Sequence, residues 1–175
     1  MASTFLSSAI QEFQRYRSLG EKAIEQIPDD ALFWQYNPES NSIAIIVKHL
    51  VGNMLSRWTD IFNTDGEKES RKRDEEFVND LKTRDEVMTL WKKGWDLVFV
   101  TLNSLGEKDL ERTIYIRGEA HSVVEAIHRQ LAHYPSHIGQ IIYIGKMVCN
   151  EEWKSLSIPR NHSDRFNQDM FSKQK

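Results

Sequence analysis

One cysteine in 175 residues means that no disulfide can close within the chain and that no cysteine cluster can hold a metal. That usage fits a reducing, cytoplasmic setting. Four prolines and eight glycines are too few and too scattered for a collagen-like or low-complexity tract. Nowhere do about eighteen apolar residues run together, so no membrane span is expected. Met1 to Gln11 also lacks the basic-then-apolar order of a secretory leader. Cations are not in excess: 23 basic residues face 26 acidic ones, a formal net charge of -3. With no basic stripe carrying stacking aromatics, nucleic acid is not an expected partner. The sequence holds no His-Glu-x-x-His motif, no glycine-rich phosphate loop and no serine in a nucleophile elbow. A ferritin-like di-iron centre is excluded as well, because only Glu125 to His128 has the required Glu-x-x-His spacing.

What is present suffices for a substantial core: 39% hydrophobic residues, including five tryptophans. The length predicts one domain over 1–175, with a core at 1–149 and a polar C-terminal tail at 150–175. Helical periodicity recurs four times. Phe5, Ala9, Phe13, Tyr16, Gly20, Ala23 and Ile27 alternate at spacings of four and three, one face of a first helix over 4–26. A second helix is predicted over 42–62, with Ser40, Asn41 and Ser42 as N-cap candidates and His49, Gly52 and Asn53 on its inward stripe. A third runs over 84–105, opened by Thr83 and Glu86 in capping-box order, and a fourth over 122–148, opened by Ser122 and Glu125 in the same way.

The connections differ in character. Residues 63–73 are dense in charge and turn formers, the usual composition of a solvated loop in a long connection between helices 2 and 3. Alternation at Thr113–Ile116 and again at 119–121 predicts a short hairpin before helix 4. Trp153, Ile158 and Phe166 are the expected anchors of the tail over one end of the bundle. Trp58, Trp91 and Trp95 suit either the monomer core or a dimer interface. The fold class is thus all-α, a four-helix bundle with a hairpin and a tail.

His133 and His137 stand one turn apart in the fourth helix and leave the same face. Pro135 between them removes one backbone bond, at a cost of about 3 kcal/mol in an ordinary helix interior. Such a pair is common on surfaces. Joined by His49 on a facing helix, it makes three imidazoles, the ligand count of an open transition-metal site with one exchangeable position. His128 lies about 140° from His133 around the helix at 100° per residue and is excluded from that face. Asn53 and Gln140 fall near the histidines and are candidates to hydrogen-bond a ring or a bound water.

The run Lys48, His49, Leu50, Val51, Gly52, Asn53, followed late by His133-x-x-x-His137 and Ile138, Gly139, Gln140, resembles the DinB-like superfamily over most of the chain. The resemblance implies a four-helix bundle with His49, His133 and His137 as ligands of one divalent transition metal: zinc, nickel, iron or manganese. It also implies a homodimer. Several such proteins are metal-dependent transferases using low-molecular-weight thiols such as bacillithiol or mycothiol, which implies a small thiol as co-substrate, ionised beside the metal and attacking an electrophile. Cys149 cannot be that thiol, being twelve residues or roughly 18 Å along the helix from His137. Other members are non-catalytic or stress-associated, so a metal-binding dimeric interaction protein is the alternative.

Overall fold

The computed structural model describes residues 4–173, so the two ends of the expected domain, residues 1–3 and 174–175, lie outside the described residues. Among them are five α-helices and one two-stranded hairpin: α1 Thr4–Gln26, α2 Ile43–Trp58, α3 Arg84–Ser104, β1 Thr113–Ile116, β2 Glu119–Ser122, α4 Val123–Cys149 and α5 Ser163–Ser172. The chain is mostly helical, as the periodicity predicts.

Helix starts follow side-chain chemistry. Ser42 accepts a hydrogen bond from the Ile45 N–H, and both predicted capping boxes, Thr83 with Glu86 and Ser122 with Glu125, are formed. The second helix stops at Trp58, four residues before the expected end; Asp60 beyond it has a φ of 49°, which an α-helix cannot continue through. Through Pro135, α4 continues as one helix. Its packing along α1 outweighs the local cost of the proline.

α1 lies against α3 and α4, and α2 against the same two helices. Trp58, Trp91, Trp95, Phe13 and Tyr134 are essentially inaccessible at the centre. All three tryptophans that could have served an interface are therefore monomer core. Gly20 makes room for one of them: a Cβ there would overlap the Trp91 ring.

The tail departs from its expected course. Trp153 packs against the core over Gly145, and the Lys154 N–H donates to Gln26 Oε1 at 2.7 Å. Ile158 and Phe166, however, stay 39% and 44% exposed, and α5 buries none of its residues. The reason is reach: the close contacts end near Leu156, and the short α5 points its Phe166, Met170 and Phe171 away from the core.

The connection from Thr59 to Thr83 corrects a further expectation. Glu69, Lys72 and Arg73 are exposed as in a solvated loop, but Asp65, Glu67, Lys68 and Arg71 are not. Arg71 has only 5% of its side chain exposed, between Glu67 and Glu76. Ser56 of α2 donates to the Gly66 carbonyl and accepts from the Lys68 N–H, and Lys48 Nζ donates to the Glu75 and Val78 carbonyls. Asp65 accepts from the N–H groups of Arg117 and Gly118, the two positive-φ residues of the hairpin turn. Composition signalled charge, but it could not signal that the charges pair with one another and with the hairpin.

Candidate metal centre

His49 projects from the middle of α2, and His133 and His137 project from one face of α4. The three rings meet edge to face, with centroids 4.8, 4.9 and 5.5 Å apart, and one nitrogen from each lies within 4.8 Å of the others. His133 Nε2 and His137 Nε2 are 3.1 Å apart. Nitrogens bound to one metal at about 2.0–2.1 Å are themselves about 3 to 3.4 Å apart, so the α4 pair already has ligand spacing.

Each outer nitrogen is occupied. His49 Nδ1 faces Glu76 Oε2 at 3.0 Å, His133 Nδ1 faces Gln130 Oε1 at 3.2 Å, and His137 Nδ1 faces Gln140 Oε1 at 3.0 Å. An oxygen acceptor at Nδ1 fixes the proton there and leaves Nε2 as a lone pair. With the proton at Nδ1 in both α4 rings, their Nε2 lone pairs face each other across 3.1 Å, an arrangement that a cation or an added proton relieves. A proton is disfavoured. Burial, and then the neighbouring His137 and His49, lower the His133 pKa from 6.5 to about 4, and burial also lowers His137. Three imidazoles whose ring nitrogens converge fit a divalent transition metal.

Glu76 is the strongest support of the centre and lies outside the sequence-based candidates. It sits in a 3₁₀ turn, Arg73–Phe77, which Phe77 holds against the site by stacking on the His49 ring at 5.1 Å. Burial would raise the Glu76 carboxyl, but hydrogen bonds from His49 and Arg71 and the Arg71 charge hold it below the usual carboxylate range. Arg71 grips both carboxylate oxygens, Nε to Oε1 at 2.7 Å and Nη2 to Oε2 at 2.8 Å. Gly52 is the position that admits it: any Cβ there would overlap the Glu76 carboxylate.

The other candidates divide. Gln140 contacts His137 as a supporting group should. Asn53 does not reach a ring nitrogen; its Oδ1 accepts from the Tyr134 hydroxyl at 3.2 Å, which in turn accepts from Trp58 Nε1 at 2.9 Å. Gln130 was missed although its signal was available, because Gln130-x-x-His133 mirrors His137-x-x-Gln140. His128 turns away and meets Phe5 edge to face at 5.0 Å.

Fold and site together define a mostly helical protein with a three-histidine cluster that could hold a metal ion. A family described as "Protein of unknown function (DUF1572)" matches residues 1–162, and the chain belongs to that family. A search of curated proteins found no match. A search of solved structures found none either. No helix among the described residues is long and apolar enough to cross a membrane.

Proposed function

We propose that the protein is a DinB-like four-helix-bundle metalloprotein in which His49, His133 and His137 hold one divalent transition metal, and that it transfers a low-molecular-weight thiol to an electrophile in the cytoplasm. The observation that supports this reading is the set of three anchored Nδ1 atoms behind three converging rings. Anchoring of this kind orients ligands and raises their basicity.

Bound there, a metal such as zinc or nickel would lower the pKa of a thiol in its open position and so supply a nucleophile at neutral pH. The chain's own residues do the rest. Glu76, Gln130 and Gln140 hold the imidazole tautomers, Arg71 keeps Glu76 ionised, and Phe77 shields one face of His49. A polar cavity touching His49 and His133 gives a co-substrate room beside the ligands, which favours an open centre over a closed structural one. A homodimer belongs to this reading too, through surface other than the buried tryptophans.

Metal analysis of untagged protein tests the centre. About one metal ion per chain is expected in the wild type and little in His49→Ala or His137→Ala. Undiminished metal in both variants would overturn the ligand assignment. Cobalt substitution then tests the chemistry: addition of a small thiol should produce a sulfur-to-cobalt charge-transfer band. A spectrum that ignores thiols would leave the non-catalytic, metal-binding alternative.

A further inference from the structure

A cavity of about 270 Å³ lies beside the histidines, with His49 and His133 in its wall together with Arg57, Arg71, Arg73, Arg117 and Arg129. Neither aspartate nor glutamate lines it. Five guanidinium groups converge on one small space in a chain whose net charge is -3. They come from α2, the long connection, the hairpin turn and α4, so the tertiary fold gathers them rather than a local basic run.

The carboxylates nearby do not neutralise this cluster. Arg71 pairs with Glu67 and Glu76, and Arg117 reaches the same Glu67 at 3.4 Å. Among the described residues Arg57, Arg73 and Arg129 form no ion pair, and Arg73 instead stacks over Phe77 at 5.1 Å. Arg57 is the most informative of them. It is only 4% exposed, yet its Nε and Nη1 have no hydrogen-bond partner among the described residues. Burial is the largest cause of its lowered pKa; the Arg129 and Arg71 charges act the same way, and Tyr134 and Glu67 offset them only in part. A buried guanidinium with idle donors beside like charges is strongly unfavourable unless an anion completes it. The planar donor fork of arginine matches the oxygens of a carboxylate or a phosphate.

We propose that this arginine-lined cavity is an anion subsite, holding the carboxylate or phosphate groups of the small molecule that reaches the three-histidine centre. Its role toward a substrate rests on the metal-centre reading, whereas anion binding itself does not. The small volume suits a compact, doubly charged group. It does not suit a nucleic-acid strand, which needs an extended groove.

Calorimetric titration of the wild-type protein with succinate, inorganic phosphate and acetate tests the subsite. Succinate or phosphate should bind saturably and at least tenfold more tightly than acetate, and the tighter of the two identifies the carboxylate or the phosphoryl source. Arg129→Glu, at an exposed position, should weaken that binding at least tenfold, and Arg57→Lys should weaken it in the same direction. Absence of saturable binding at about 10 mM, or binding untouched by both substitutions, would overturn the proposal. His137 does not line the cavity, so His137→Ala separates the two readings. Anion binding kept without metal in the wild type would sink the metal centre alone; metal bound without any anion affinity would sink the subsite alone.

Discussion

Glu76 Oε2 lies 3.0 Å from His49 Nδ1, although 27 residues separate them in the chain. The contact turns a connection between two helices into part of the centre. It also makes the carboxylate, rather than any α4 residue, the group on which the orientation of His49 depends.

Glu76→Gln should therefore weaken metal binding by about 10- to 100-fold while the helices stay folded. Competition against a calibrated chelator measures the affinity, and far-ultraviolet circular dichroism checks the fold. Wild-type affinity in a folded variant would show that His49 needs no carboxylate behind it.

Gly52→Ala should act through the same contact from the other side. The new methyl would displace the Glu76 carboxylate, while alanine in a helix interior is favoured over glycine by about 1 kcal/mol. The expected outcome is thermal stability close to wild type with metal affinity lowered about tenfold. Melting and chelator competition on one preparation separate the two effects.

Tyr134→Phe removes a hydroxyl that serves two buried partners, Trp58 Nε1 and Asn53 Oδ1. Leaving them unsatisfied should cost about 1–3 kcal/mol in urea unfolding. Metal content should not change, since the Tyr134 hydroxyl bonds Trp58 and Asn53 and none of the three histidines, while the ring that packs on His133 is kept.

Acid should destabilise the metal-free protein. His133 has its folded-state pKa lowered from 6.5 to about 4, by burial and then by neighbouring positive charge, and His137 is lowered as well. Between those values the unfolded chain binds protons that the folded chain does not, so the unfolding free energy falls as pH falls from about 6.5 toward 4. Above 6.5 both states are neutral at these sites and the contribution vanishes. Urea midpoints of chelator-treated protein across this range should fall less steeply in His133→Gln; equal slopes would remove His133 as a cause.

Local rules wrote most of the scaffold legibly into the sequence. The stripe from Phe5 to Ile27, the capping boxes at Thr83 and Ser122, and the alternation at Thr113–Ile116 each depend on neighbours within a few residues. The histidine trio was legible for a related reason: His133 and His137 share a helical face, and His49 shares a stripe with core residues. Glu76, Arg71 and the arginine cavity were not legible, because they arise from chain segments with no common period. Gly52 was the one local sign of them. A glycine on the buried side of a helix marks a close approach, though not by which residue.

Asp65 gives the centre a mechanical property that no single ligand shows. By accepting from Arg117 and Gly118 while the Gly66 N–H donates to the Tyr115 carbonyl, the start of the connection is fastened to the hairpin, and Ser56 fastens it to α2. These bonds link the connection and the hairpin turn to the last turn of α2, so amide protection lost at the hairpin is expected to be lost at Glu76 in the same event, which hydrogen exchange would report.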